Sequence, residues 1–342
     1  MRPNDLIRLL AATIATREPV LITGAPGVGK SDVVEQAVAM AKNDLIVSHP
    51  VVSDPTEVKG IPWPKEGGKV ATFLPFEDIH RLMTCKKPTV MFIDDLGQAM
   101  PATQASYMQP VLARRINGHS IPKHVTFIAA TNRRSDRAGV TGILEPVKSR
   151  FLAIVSLEPH LDDWCMWAIK NNLPPELIAF MRFRPELLHQ FNPTLDLVNS
   201  PCPRTWANVA KILGLDLPEK LEFAAMQGAV GEGAAAECSG FLRIYRKLPS
   251  LDGIIADPES ALIPTDPAAL YAVSIGLAGR ANENNFSRIV KYADRLHDDG
   301  HGEFAVLLVR DCIRRKPSLQ STPAFVQLAA SNIGKLFSGE EN

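Results

Sequence analysis

The run Gly24-Ala25-Pro26-Gly27-Val28-Gly29-Lys30-Ser31 constrains this chain more than any other stretch. It fits the pattern G-x-x-x-x-G-K-[ST] at every fixed position. Its surroundings point the same way. Pro19-Val20-Leu21-Ile22-Thr23 reads as a short buried strand ahead of the loop. Ser31 to Ala41 reads as a helix behind it, with Val33, Val34, Ala37, Val38 and Ala41 on one face. Strand, glycine-rich loop and helix in that order aim backbone N–H groups and a helix N-terminus at phosphate groups. Lys30 is then placed to reach the terminal phosphates of a nucleoside triphosphate, and the Ser31 hydroxyl to ligate Mg²⁺.

Strand and helix signals alternate around this loop. Residues 3–17 read as an amphipathic helix, with Leu6, Ile7, Leu10, Ala11 and Ile14 on one face. Leu45–Val52 is strand-like, Pro75–Cys85 a short helix, Pro88–Leu96 a strongly apolar strand, Pro101–Arg115 a helix, His124–Thr131 a strand and Phe151–Leu157 the last strand of the series. Alternation of this kind predicts an α/β fold: a parallel sheet flanked by helices, with the site at the C-terminal ends of the strands. The turn-rich stretch Val58–Leu74, with Gly60, Pro62, Pro64, Gly67 and Gly68, reads as a hairpin or loop on the face where functional loops sit. After Pro159 only helical periodicity remains, with Leu251–Asp266 as a proline- and glycine-marked linker. The expected division is therefore a core at 1–158, a helical part at 159–250 and a helical C-terminal extension at 251–342.

Composition narrows the classes. The 37 basic and 37 acidic residues among 342 cancel, which gives no bulk electrostatic reason to bind nucleic acid or an anionic membrane. Two local basic clusters stand out, Arg133/Arg134/Arg137 and Arg314/Arg315/Lys316; the ordinary reading of each is a solvated surface, or for the first an arginine set facing a nucleotide. Five scattered cysteines without a C-x-x-C pair fit a reduced, cytoplasmic protein, and no apolar run is long enough to span a bilayer.

Two further strand ends carry chemistry. Val90-Met91-Phe92-Ile93 runs into Asp94-Asp95, and an apolar strand ending in a carboxylate is the second half of a phosphate-loop site. Asp94 is placed to hold Mg²⁺ through water, and Asp95 to act as the general base that orients the attacking water. Val125 to Ala130 runs into Thr131-Asn132-Arg133, which puts the amide of Asn132 where it reaches the γ-phosphate or that water.

Together these segments resemble the AAA+ ATPases, and among them the MoxR-like branch. Gly24–Ser31 is similar to Walker A, Phe92-Ile93-Asp94-Asp95 to Walker B and Ala130-Thr131-Asn132-Arg133 to the sensor-1 segment. Val52–Gly60 resembles the family's loop after the second strand. Glu145–Phe151 resembles the arginine-finger segment, and Pro201-Cys202-Pro203-Arg204-Thr205-Trp206 the sensor-2 element that opens a helix of the lid. The resemblance spans residues 1 to about 250. It implies that Gly24, Ala25, Pro26, Gly27, Val28, Gly29, Lys30 and Ser31 cradle ATP, that Arg204 contacts the nucleotide of its own subunit, and that Arg150 reaches the γ-phosphate bound to a neighbouring subunit. Arg114 and Arg115 are secondary candidates for interface arginines.

The resemblance also implies an AAA+ core followed by an all-α lid, and an ATP- and Mg²⁺-dependent hydrolase forming a homo-oligomeric ring, usually a hexamer. Its expected role is a chaperone-like remodeller of a protein client, working with a partner that carries a von Willebrand A-type domain. Trp63 between two prolines either touches that client or packs on its own domain. The alternatives are a nucleic-acid motor or helicase loader, kept open by Arg310, Arg314, Arg315 and Lys316, and a nucleotide-gated binding module. The last follows from a departure: the family usually has Asp-Glu where this chain has Asp94-Asp95. Aspartate falls roughly an ångström short of the same water, a misplacement that can cost about a hundredfold in rate.

Overall fold

The computed structural model describes residues 1–136, 139–140, 142–192, 194, 196–248, 250–330 and 333–334. Its strands are β1 (Val20–Thr23), β2 (Asp44–Ser48), β3 (Ile61–Lys65), β4 (Val70–Leu74), β5 (Thr89–Ile93), β6 (Arg115–Ile116), β7 (His119–Ser120), β8 (Val125–Thr131) and β9 (Ala153–Ser156). Five of them form a parallel sheet in the order β2-β5-β8-β1-β9. The apolar runs are continuous because both faces are covered. Val20, Ile22, Val90, Phe92, Ile128 and Ala130 point into one core, with Leu6, Leu10, Ile14, Val34 and Ala37. Leu21, Met91, Ile93, Phe127 and Ala129 point into the other, with Ile79, Leu82, Tyr107 and Val111. The first core is roofed by α1 (Pro3–Thr16) and α2 (Lys30–Met40). The second is closed by α3 (Pro55–Lys59), α4 (Glu77–Thr84), α5 (Pro101–Ser106), α6 (Met108–Ala113) and α7 (Glu145–Lys148), each of which buries at least one side chain.

The expected helix Pro101–Arg115 is broken. Pro110 has no N–H for the carbonyl of Ser106 and its ring crowds that carbonyl, so α5 ends at Ser106 and α6 restarts at Met108. The strand expected over Leu45–Val52 stops at Ser48, opposite the last residue of β5, and Pro50 lies in the turn beyond. The last strand shortens to Ala153–Ser156 because its partner β1 offers four residues.

Val58–Leu74 contains a hairpin. β3 and β4 pair antiparallel, with Ile61 opposite Leu74, Pro62 opposite Phe73, Trp63 opposite Thr72 and Pro64 opposite Ala71. Trp63 is 57% exposed, so more than half of its surface meets solvent; Ile61, Val70, Phe73 and Leu74 are exposed beside it.

By contacts the chain divides into two units: Met1–His160 with Phe191–Asp196, and Leu161–Gln190 with Leu197–Asn342. The second is helical: α8 (Leu161–Lys170), α9 (Pro175–Phe183), α10 (Pro203–Leu213), α11 (Glu219–Val230), α12 (Glu232–Arg246), α13 (Leu251–Ala256), α14 (Pro267–Arg280), α15 (Phe286–Asp298), α16 (Gly302–Arg315) and α17 (Pro323–Ala329). The stretch expected as a linker holds α13, whose Leu251 and Ile254 are buried. α14 is apolar all round. Its Ala268, Ala272 and Ile275 enter the core of α8–α12, and its Leu270, Val273 and Leu277 enter that of α13–α17. The helices on either side of residue 250 therefore share one packed unit. Residues 331–332 and 335–337 of the expected last helix lie outside the described residues, as does Arg137 of the first basic cluster.

Among the described residues no helix is long and apolar enough to cross a membrane.

Candidate active site

Strand order decides which side chains meet. β8 lies between β5 and β1, so the tips of these three strands, and the loops that follow them, are neighbours. The phosphate loop leaves β1 at Thr23 and enters α2 at Lys30. Gly27 (φ 73°) and Gly29 (φ 94°) take the left-handed backbone that lets the loop curl with its N–H groups inward. Ala25 and Val28 anchor the loop in the core below.

Lys30 is buried, and its Nζ donates to Gly24 O (3.0 Å), Ala25 O (3.0 Å) and Asn132 Oδ1 (2.6 Å). The last bond joins the phosphate loop to the tip of β8 across 102 residues of sequence. Ser31 Oγ donates to Asp94 Oδ2 at 2.8 Å and joins the loop to the end of β5. Asp95 sits in left-handed backbone (φ 56°). Its Oδ1 accepts from Gln98 Nε2 at 2.7 Å and from Asn132 Nδ2 at 3.4 Å. Lys30, Ser31, Asp94, Asp95 and Asn132, picked from three separate motifs, thus form one hydrogen-bonded cluster. A groove of about 570 Å³ opens beside it, lined in part by Thr23, Thr131, Asn132 and Arg133.

Residues 20–157 match the family model described as ATPase family associated with various cellular activities (AAA). This part of the chain is an AAA-family ATPase domain. No curated protein matches the chain. Similar solved structures include the Thermotoga maritima RuvB Holliday junction branch migration motor, at 14% identity over 80% of this chain and 81% of that one, with a TM-score of 0.39. They also include a mutant of the same RuvB, at 16% identity over 80% of each chain with a TM-score of 0.40. NtrX from Brucella abortus, in complex with ADP, is 14% identical over 97% of this chain and 68% of that one, with a TM-score of 0.41. Likeness at these values says nothing about activity; the family match and the strand order carry the assignment.

Among the described residues the remaining candidates of the AAA domain make no hydrogen bond to the cluster. Arg150 is half-buried at the end of α7; its Nε donates to Met108 O at 3.1 Å and its Nη1 to Pro146 O. Arg114 is a clamp: it donates to Val125 O at 2.7 Å and Arg17 O at 3.1 Å, and burial pushes its guanidinium below the ordinary arginine range. Arg115 is exposed in β6. Arg133 bridges Asp136 (3.3 Å) and Glu158 (3.1 Å), and Arg134 is exposed. Arg204, in the helical unit, is exposed in the first turn of α10, with no acidic partner among the described residues.

The second basic cluster is not a solvated face. Arg314 Nη1 lies 3.9 Å from both Asp162 and Asp311, and Arg315 is half-buried beside Asp311. Asp311 itself is fully buried and accepts from Arg182 Nη2 at 2.6 Å. Sequence reasoning missed Gln98 altogether. The available signal was its place three residues after Asp95, one turn of a 3₁₀ helix away.

Proposed function

We propose that this chain is an ATP-binding, Mg²⁺-dependent AAA+ ATPase of the MoxR type that forms a homo-oligomeric ring and remodels a protein client. The observation that carries the nucleotide chemistry is the Lys30–Asn132 bond together with the Ser31–Asp94 bond, which gather three separate motifs into one site. Lys30 donates to the carbonyl oxygens of Gly24, Ala25 and Asn132, and phosphate oxygens are better acceptors for an ammonium than such neutral oxygens. Ser31 and Asp94 offer hydroxyl and carboxylate oxygens, the hard donors Mg²⁺ takes. When bound, Mg²⁺ supplies charge neutralisation at the β- and γ-phosphates.

In this reading the loop 24–31 cradles the phosphates, Asp95 accepts the proton of the attacking water and Asn132 orients that water. Arg150 from a neighbouring subunit neutralises charge developing on the γ-phosphate, and Arg204 couples the nucleotide to the helical lid. The finer division into a lid at 159–250 and an extension at 251–342 belongs to this proposal. The exposed hairpin at residues 61–74 supports a client role, because its Trp63 and flanking apolar side chains leave about half of their surface open to solvent. The nucleic-acid alternative is left with the exposed Arg310 and Lys316, since Arg314 lies 3.9 Å from both Asp162 and Asp311 and Arg315 is half-buried beside Asp311.

The test is the ATP hydrolysis rate per subunit against protein concentration, with and without Mg²⁺. A Mg²⁺-dependent rate per subunit that rises with concentration is expected from a site completed between subunits. A rate per subunit independent of concentration, unchanged in Arg150→Ala, would remove the ring and its trans-acting arginine.

A further inference from the structure

Asp95 is one methylene shorter than the acid usual at its position, and the structure surrounds it with unusual support. It is followed by a tight 3₁₀ turn, Leu96–Gln98, closed by the bond from Gln98 N to Asp95 O at 3.0 Å. The turn is pressed against the tip of β8. A Cβ on Gly97 would sit 2.2 Å from Thr131 Oγ1, so only glycine lets the turn come this close. That approach carries the Gln98 amide to Asp95, where Nε2 donates to Oδ1 at 2.7 Å. The Thr131 hydroxyl lies 3.5 Å from Gln98 Oε1 and makes its shorter bond to Asn132 O at 3.0 Å. The opposite amide orientation would set a carbonyl against a carboxylate, so the surroundings fix which end of Gln98 faces Asp95.

With Asn132 Nδ2 also on Oδ1, two amides hold one oxygen of the Asp95 carboxylate. Among the described residues the other oxygen, Oδ2, accepts no hydrogen bond. We propose that Gln98 is a positioning residue for hydrolysis: it fixes the plane of the shortened Asp95 carboxylate so that Oδ2 faces the attacking water. The water oxygen bonds to the γ-phosphorus as the bridging oxygen leaves with ADP, and the water's proton passes to Asp95 Oδ2. A second consequence comes from Asn132, which accepts from Lys30 and donates to Asp95. When Lys30 turns to a γ-phosphate, Asn132 loses the donor at its Oδ1 that helps fix its plane, and the shorter bond from Gln98 still holds Asp95.

This inference rests on the proposed ATPase reading, and its test separates the two. Steady-state ATP hydrolysis and ATP binding are measured for the full-length protein, Asp95→Asn, Gln98→Ala, the isosteric Gln98→Glu, and the double variant Asp95→Asn/Gln98→Ala. Gln98→Ala and Gln98→Glu are expected to lower kcat on the order of tenfold to a hundredfold, with KM and ATP affinity unchanged. In the Asp95→Asn background Gln98→Ala is expected to cost nothing more, because its effect runs through Asp95. Wild-type kcat in both Gln98 variants, or a further loss of kcat in the double variant, overturns the role of Gln98 alone. Full activity in Asp95→Asn overturns the role of Asp95 and this inference with it while leaving the ATPase reading in place; a wild-type protein that does not hydrolyse ATP overturns both.

Discussion

Lys30 in the α/β unit and Arg182 in the helical unit are buried to nearly the same degree, 8% and 9% exposed. Their company differs. Lys30 sits at the C-terminal edge of a parallel sheet and donates to two main-chain carbonyls and a neutral amide. Arg182 sits between packed helices and donates to the carboxylate of Asp311, which is wholly buried, with Arg314 and Arg315 alongside. Neutral acceptors at a strand tip are exchangeable for a better anion. A carboxylate locked among close-packed helices is not, and removing its partner strands a charge. One buried cation is therefore arranged for chemistry, the other for holding helices together.

The largest expected effect tests the second half of that contrast. Arg182→Met should destabilise the helical unit by about 3–5 kcal/mol, because Asp311 keeps its burial and loses its closest partner. Denaturant titration followed by tryptophan fluorescence reads this directly, since Trp164, Trp167 and Trp206 all lie in that unit. A loss below about 1 kcal/mol would mean that Arg314 and Arg315 already balance Asp311. Lys30→Ala should behave the opposite way: ATP affinity falls by about 2–5 kcal/mol while the unfolding midpoint barely moves. Wild-type ATP affinity in this variant would dissolve the comparison, since Lys30 would then be as structural as Arg182. Gly97→Ala comes next, at about 1–3 kcal/mol of stability, from the overlap with Thr131. Trp63→Ala should shift stability by no more than about 0.5 kcal/mol, because the ring packs on little. A larger loss would show that the hairpin depends on it.

The same contrast explains what could be read in the sequence. The phosphate loop was legible because its residues are consecutive and their chemistry depends on local backbone. Asp94 and Asn132 were legible because each ends an apolar strand, and a parallel sheet brings such ends together. Gln98 was not legible. Its role depends on how closely a turn approaches Thr131, and that contact is set by tertiary packing. The buried pair Arg182–Asp311 spans 129 residues with no local pattern, so Arg314 and Arg315 read as a surface patch when they flank a buried acid. The expected helix across Tyr107 overlooked Pro110, whose ring acts on the residue four before it. The expected linker at Leu251–Asp266 was judged by its prolines, while burial of Leu251 and Ile254 decided the matter.

The prolines of the hairpin have one more consequence. A strand in an antiparallel pair turns its main-chain groups alternately toward its partner and away. Pro62 and Pro64 share one phase of that alternation, and a regular ladder over Ile61–Lys65 requires that they be the outward-facing residues. The free margin of β3 then has no N–H to offer at two successive outward positions. A second hairpin cannot zip onto it to start a fibre, although Ile61, Trp63, Val70 and Leu74 would otherwise invite one. The chain can thus keep a sticky apolar hairpin in water at working concentrations and leave β4 as the margin through which it is vulnerable to self-association.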